Sequence, residues 1–157
     1  MSLRTVGLRA SDLLLPSKTA ARVSKVIDNG DTPPRRAPQI VAAPKPRRVY
    51  WCEFPKDALL PEFWKTRPVV IISPKAHLHG VVTVVPLSTK AQPDNKLAHA
   101  FPSALPEGGT SWAICSHVTT LSVSRLTLVD GKAPTIPEDD FTAILRLVRS
   151  QIPTPRE

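Results

Sequence analysis

The sequence has few cysteines and no long apolar run, and each deficit excludes a class of protein. Its 157 residues contain only two cysteines, Cys52 and Cys115. Two are too few for a disulfide framework or a metal cluster, so we expect reduced core thiols in a cytoplasmic protein. No stretch approaches the roughly 18 apolar residues of a membrane helix. The N-terminus also lacks the charged and apolar regions of a secretory signal, so none is expected.

Acidic residues are scarce in the first third of the chain. Residues 1–48 hold 10 Lys/Arg against 3 Asp/Glu, whereas residues 49–157 hold 11 against 10. The positive charge therefore lies almost wholly in the N-terminal segment. Such a segment can attract phosphates without specifying a sequence. Any nucleic-acid contact in the remaining chain must depend on a few well-placed cations.

Proline is abundant, and its distribution predicts the domain boundaries. The 18 prolines are more than twice the usual share, and "TPPRRAPQIVAAPKPRR" is both basic and proline-rich. We predict that residues 1–46 form an extended or disordered extension, with one short helix at 17–28 that ends at "NGD". It is either a plain linker or an arm that grips RNA or a partner protein. The main domain is predicted at 47–152, followed by a tail at 153–157.

From residue 48 onward, short apolar or alternating segments predict five or six β-strands. The segments are "RVYWCEF", "TRPVVIIS", "VVTVVPLST" (81–89), "KLAHAF", "SWAICSHVTTLS" (111–122) and "RLTLVDG". The unbroken β-branched run in the second strand indicates burial on both faces. Between the first two strands, "PKDALLPEFWK" is predicted to be a loop because it contains two prolines.

The C-terminal segment 137–152 has helical periodicity. Its apolar residues fall on one face, with acidic residues in the first turn and Pro153 after the end. These apolar residues are Phe141, Ile144, Leu145, Val148 and Ile152. The predicted fold is therefore mainly β with one C-terminal α-helix, arranged as a small, strongly bent antiparallel barrel.

The order of these segments resembles the PemK/MazF family, the toxins of bacterial type II toxin–antitoxin systems. The strongest match is "KTRPVVIISP", followed in the same order by "VPLST" and "TLSVSRL", and the resemblance covers roughly residues 47–152. It implies an SH3-like barrel of the CcdB/PemK type that forms a homodimer in the cytoplasm. It also implies an endoribonuclease that cuts single-stranded RNA at a preferred sequence without a metal or cofactor, with a cognate antitoxin as partner.

The resemblance implies a role for particular residues. Metal-free RNA cleavage needs a base, an acid and a cation that meets the charge on the phosphate oxygens. Arginine suits the last task because its planar fork binds two oxygens and stays charged, and the family's arginine corresponds to Arg67. Ser88, beside Thr89, corresponds to the hydroxyl residue that holds a phosphate oxygen. The plain alternatives are a solvated rim arginine and an ordinary strand-end serine.

Two departures from the family pattern affect the expected chemistry. The first strand commonly opens with Arg-Gly-Asp, but here it opens with Pro46, Arg47 and Arg48. Further on, Ser116 and Thr119 occupy positions where many members have an acid and an arginine. His117 is the predicted substitute for the missing carboxylate, because its side chain can act as acid or base near neutral pH. The alternative is that His117 points to the opposite face of the strand.

The loop before Arg67 supplies further candidates. Glu62 is a candidate acid or base, or simply a solvated carboxylate. Phe63 and Trp64 are large aromatics in a polar loop, and they either stack on a base, anchor the loop or bury in a dimer interface. The predicted substrate-binding residues are Lys65, Thr66, Thr89, Glu62, Ser116 and Trp64. His77 and His79, with no carboxylate or cysteine nearby, are a poor metal site, so none is predicted.

The departures keep a second function open. A barrel without the family's carboxylate and second arginine could bind RNA, or inhibit a protein target as gyrase poisons do, without cutting RNA.

Overall fold

A computed structural model of the protein describes residues 32–157. Residues 36–157 form one compact unit, which contains all the strands and the C-terminal helix. The helix predicted at 17–28 lies outside the described residues.

Seven strands form one antiparallel sheet. They are β1 Val49–Cys52, β2 Arg67–Ile71, β3 Val81–Ser88, β4 Ala98–Pro102, β5 Thr110–Ile114, β6 Thr119–Ser122 and β7 Leu126–Thr127. Their order is β4-β5-β3-β2-β1-β7, and β6 also pairs with β3. Among these strands the terminal pair β4 and β7 is not joined, so the sheet is bent around its core without being closed by hydrogen bonds. The predicted fold class, antiparallel β with a C-terminal helix, is confirmed.

The sheet is buried on both faces, as the β-branched run in β2 predicts. Val70 belongs to one apolar cluster, whereas Val69 and Ile71 belong to the other. Alternate residues of a strand point to opposite faces. The same alternation in β3 places Val85 with Val70, and Val84 with Val69.

One face is covered by the helix α1, Glu138–Arg149. Ile144 and Val148 are buried there among residues of β1, β2, β3 and β5, because they lie four residues apart on one side of the helix. The acids predicted for the first turn are in it, where they complement the helix dipole. The helix is shorter than the predicted 137–152, and Ile152 lies beyond its end with 64% of its surface exposed.

The predicted strand 111–122 was wrong as a single element. It is divided into β5 and β6 by a 3₁₀ turn at Cys115–His117. The reason is that β3 changes partner: Leu87 and Ser88 pair with β5, whereas Val81–Val84 pair with β6. The change falls at Pro86, which has no N–H for a ladder hydrogen bond. The predicted strand "RLTLVDG" is likewise reduced to the two residues of β7, after a second 3₁₀ turn.

The second face is partly covered by residues 36–46, which we call the strap. Ile40 is only 4% exposed and joins the apolar cluster of Val69 and Ile71, whereas the neighbouring Val41 is 95% exposed. The Gln39 side chain donates a hydrogen bond of 3.3 Å to the carbonyl of Ser124. The end of the predicted extension therefore packs on the domain, and the boundary at 47 stays a prediction.

Arg47 has an unusual backbone for a non-glycine residue, with φ of 68°. This left-handed conformation costs roughly 1–2 kcal/mol in most side chains, a cost that a glycine at this position would not have. In this chain the Arg47 Nε and Nη2 atoms donate to the carbonyl of Ile136 at 3.2 and 3.0 Å. Arg47 thus joins the chain just before β1 to the segment that precedes α1 through hydrogen bonds.

Candidate active site

The loop between β1 and β2, residues 53–66, is held by a local turn at its tip. Glu62 donates its N–H to the carbonyl of Leu59 at 2.8 Å, and its carboxylate accepts the N–H of Leu59 at 2.9 Å. The Leu60–Pro61 peptide is cis. As predicted, this segment has no helix or strand. Glu62 is exposed, but one of its carboxylate oxygens is occupied by the turn.

Arg67 is the first residue of β2, where the loop ends. Alternate residues of β2 point to the same face, so Arg67 shares the face of Val69 and Ile71, the one that the strap partly covers. We call it the loop-side face. Its guanidinium carbon lies 4.5 Å from the ring centroid of Phe63. The Nε atom is buried without a hydrogen-bond partner, and in the described domain no carboxylate lies within salt-bridge distance of this side chain. Arg67 is therefore a cation whose charge is not neutralised by an acidic neighbour.

Ser88 lies at the same end of the β2–β3 pair. In the antiparallel register of β2 and β3, Val69 pairs with Pro86. Two residues further toward this end, the same register places Ser88 opposite Arg67. Ser88 also shares the face of Val84, as Arg67 shares the face of Val69. Its hydroxyl accepts the N–H of Lys90 at 3.1 Å and is half-buried. Thr89 follows the strand and is exposed.

His117 lies in the 3₁₀ turn between β5 and β6. Its Nε2 is 3.1 Å from the carbonyl oxygen of Pro61, which can only accept, so Nε2–H is the donor. Its Nδ1 is 2.9 Å from the Ser116 hydroxyl, which donates to it when the ring is neutral. His117 therefore points toward the loop that contains Pro61.

Phe63 brings Arg67 and His117 into one cluster. Its ring centroid lies 4.8 Å from that of His117 with the planes at 42°, and 5.9 Å from that of the buried Phe54. Sequence reasoning singles out Phe63 as an aromatic in a polar loop but does not place it in the site. Arg67 and His117 lie 4 and 54 positions later in the chain, so their contacts with Phe63 depend on the fold. The only signal in the sequence was a large aromatic residue in a polar loop.

Two open cavities flank this cluster. One, of about 490 Å³, is lined by Asp57, Glu62, Ser116, His117 and Thr119, among others. The predicted substrate-binding residues Glu62 and Ser116 thus line the same cavity as His117.

The other cavity, of about 600 Å³, contains Trp64, Lys65 and Thr66. Trp64 is 50% exposed, and the Lys65 ammonium lies 4.7 Å from the centroid of its ring. These three residues present an aromatic surface with a neighbouring positive charge.

The other histidines lie apart from this cluster. His77 and His79 are exposed in the turn after β2, at the opposite end of that strand from Arg67. His99 in β4 contacts Asp140 of α1 at 2.8 Å. Residues 32–157 contain no group of three or more metal-ligating side chains.

Both cysteines are buried and have no role in the cluster. Burial raises the pKa of the Cys52 thiol to about 12 and the pKa of the Cys115 thiol to about 11. Both are therefore protonated near neutral pH and unreactive as nucleophiles. They match the predicted core thiols.

The chain is similar in fold to two solved structures. It aligns with the crystal structure of MazF (Form-I) from Deinococcus radiodurans at a TM-score of 0.57 and 18% identity, covering 71% of this chain and 97% of that one. It aligns with an endoribonuclease in complex with its cognate antitoxin from a mycobacterial species at a TM-score of 0.52 and 20% identity, covering 72% and 100%. No curated protein matches the chain in sequence.

Within the described residues, no helix has the length and hydropathy needed to cross a membrane. The family model for the PemK-like, MazF-like toxin of type II toxin–antitoxin systems matches residues 45–152. This range contains every strand, α1 and all the residues of the cluster around Phe63. The chain therefore belongs to the PemK/MazF toxin family.

Proposed function

We propose that the protein is a toxin that cleaves single-stranded RNA at a preferred sequence and needs no metal ion. The observation that carries the proposal is the environment of Arg67. Its guanidinium is half-buried, has no acidic partner in the described domain and contacts the same aromatic ring as His117. A cation and an imidazole that contact the same ring supply two of the groups that phosphoryl transfer requires.

The proposed reaction uses the 2′-hydroxyl of the RNA as nucleophile. Its oxygen attacks the adjacent phosphorus while a base removes its proton, and the bond from phosphorus to the 5′-oxygen breaks. An acid protonates the departing 5′-oxygen, leaving a 2′,3′-cyclic phosphate. Arg67 meets the negative charge that grows on the non-bridging oxygens, and Ser88 donates a hydrogen bond to one of them.

His117 is the proposed base. In the neutral ring that donates from Nε2 to Pro61, Nδ1 is the atom that can accept a proton. The exposed Ser116 hydroxyl occupies Nδ1 in the structure. A substrate 2′-hydroxyl takes over this donor position when it binds. His117 then accepts the proton without losing its hydrogen bond to the loop.

The remaining predicted residues are proposed to bind RNA on either side of the cleaved phosphate. Trp64 is available for stacking on an unpaired base, and Lys65 and Thr66 are available for phosphate contacts. Thr89, next to Ser88, is a further hydroxyl donor. The second carboxylate oxygen of Glu62 is not used by the turn, so it is a candidate to accept a hydrogen bond from a nucleobase of the RNA.

We also propose a homodimer that acts in the cytoplasm and is neutralised by a cognate antitoxin. The support is family membership and the similarity in fold to a mycobacterial endoribonuclease that was solved in complex with its cognate antitoxin. Co-expression with the product of an adjacent small gene should therefore relieve growth inhibition.

The deciding experiment incubates the purified protein with single-stranded RNA in excess EDTA. The wild type should produce discrete cuts that end in cyclic phosphate, and Arg67→Ala should lower the rate by roughly 10²-fold or more. Arg156→Ala, which removes the same charge from the exposed C-terminal tail, should cut like the wild type. If the wild type and Arg67→Ala leave the RNA equally intact, the cleavage proposal is refuted.

A second candidate is a barrel that binds RNA or a protein target without cutting. It is favoured by the two hydrogen bonds that engage both His117 nitrogens and by the absence of an arginine at Thr119. On this alternative His117→Ala inhibits growth as strongly as the wild type, and cellular RNA stays intact. Loss of both toxicity and cleavage in His117→Ala would exclude it.

A further inference from the structure

We infer that Phe63 is a positioning residue that holds the Arg67 guanidinium and the His117 imidazole in one geometry. The inference rests on the proposed function and gives Phe63 a positioning role that neither the sequence nor the family pattern assigns to it. Phe63 is half-buried in the loop between β1 and β2 and contacts both side chains, at 4.5 and 4.8 Å.

An aromatic ring orients Arg67 in a way that a carboxylate cannot. The negative face of the ring attracts a guanidinium without accepting its N–H groups. A carboxylate in place of the ring would hold the side chain equally well, but it would neutralise the charge and occupy the donors. With Phe63, the terminal Nη atoms stay available for two phosphate oxygens. The buried Nε has no hydrogen-bond partner, which is consistent with a ring that attracts the guanidinium without accepting its N–H groups.

The same short segment also fixes His117. Pro61, two residues before Phe63, accepts the Nε2 hydrogen bond, while the Phe63 ring packs on the imidazole. A shift of this segment would therefore move the base and the cation together. Arg67 starts β2, and His117 lies beyond β3 in the turn between β5 and β6, so the loop joins two separate parts of the sheet.

The position of Phe63 is itself determined by the core. Its ring meets that of Phe54 edge to face at 5.9 Å. Phe54 is 4% exposed and belongs to the apolar cluster of the loop-side face. A continuous series of ring contacts thus runs from the core to the two polar side chains.

The test replaces Phe63 with a side chain of similar volume but no ring. Phe63→Leu should lower kcat/KM for RNA cleavage by about 5-fold to 30-fold, the value expected from losing a partly desolvated cation–π contact. Phe63→Tyr keeps the ring and should stay within about threefold of the wild type. Leu59→Ala, at an exposed position of the same loop, is the matched control and should be unchanged.

A double-mutant cycle separates positioning from a general loss of structure. In the Arg67→Ala background, Phe63→Leu should cost clearly less than it does in the wild type, because one of the two partners through which it acts is gone and only His117 remains. A merely structural role predicts the same loss in both backgrounds, and that result would overturn the inference. Circular dichroism melts of every variant identify any loss caused by unfolding, and Phe63→Met is the substitute if the leucine variant is unfolded.

The same cycle measured as affinity for 2′-O-methyl RNA does not depend on cleavage. If the wild type leaves RNA intact, the proposed function fails, and this affinity cycle decides the role of Phe63. A weaker affinity for Phe63→Leu only when Arg67 is present supports the inference. An equal affinity of Phe63→Leu and the wild type overturns it, whatever the protein does to RNA.

Discussion

The two faces of the sheet differ in what covers them. The face under α1 packs against a regular helix, which adds Ile144 and Val148 to a large buried apolar cluster. The other face is covered by the strap and by the loop between β1 and β2, and its edge carries Arg67, Phe63 and His117. Both faces belong to the same strands. Packing against the helix on one face therefore stabilises strands that position polar side chains on the other. The two faces should therefore respond differently to substitution.

The largest expected effect on stability is in the helix-covered face. Ile144 is fully buried, and Ile144→Ala should lower the free energy of unfolding by about 2–5 kcal/mol through lost burial and the cavity it leaves. Urea denaturation measures this. Cleavage per folded molecule should be unchanged. Ile152→Ala, at the exposed position beyond α1, is the control and should shift the unfolding free energy by less than about 0.5 kcal/mol.

A smaller loss is expected from the strap. Ile40→Ala should lower the free energy of unfolding by about 2 kcal/mol, at the low end of the range for such substitutions, because a terminal segment can detach locally. The exposed neighbour provides the control, and Val41→Ala should leave the urea midpoint in place. Equal midpoints for Ile40→Ala and Val41→Ala would show that the strap adds nothing to the domain in solution.

The smallest expected effect is at the edge of the strap. The Arg36 guanidinium donates to the Glu53 carboxylate at 2.7 Å and, first through that hydrogen bond and then through its charge, lowers the pKa of Glu53 from 4.5. A carboxyl whose pKa is lowered on folding stabilises the protein above its unfolded pKa, and this contribution disappears as the pH falls through the folded value.

Arg36→Ala should therefore lower the melting temperature slightly at pH 7 and not at all at a pH well below 4.5. Added salt should reduce the difference, because the pair is exposed to solvent. Melts of the two proteins across this pH range provide the measurement. A difference that persists in acid would assign the stabilisation to packing of the Arg36 side chain instead of its charge.

Local patterns were enough to predict most of the sheet and the helix. The alternation in β2 and β3 and the helical spacing of Ile144 and Val148 depend on neighbouring residues in the chain, and the structure confirms them. The division between β5 and β6 could not be predicted, because it arises where β3 exchanges one partner for another. Burial of Ile40 was also missed, since its surroundings are proline-rich and its partners lie in distant strands.

The candidate site was predictable by residue type but not by arrangement. The resemblance to the PemK/MazF family pointed to Arg67, whereas its local sequence alone was compatible with a solvated rim arginine. The same resemblance pointed to Ser88, but its place near Arg67 depends on the register of β2 and β3. The contacts that join Arg67 to His117 run through Phe63, across loops that no periodic pattern describes. The roles of all these residues stay predictions until the cleavage assay is made.

The three partners of β3 also determine when the domain can assemble on the ribosome. β1, β2 and β3 are made first and can pair as they emerge, but the second edge of β3 waits for β5 and β6. A strand edge left unpaired is open to association with other chains. His117 is made between those late strands, and α1 follows them. A nascent chain therefore carries Arg67 and Ser88 well before it can complete the cluster, so a partly synthesised toxin lacks the assembled site.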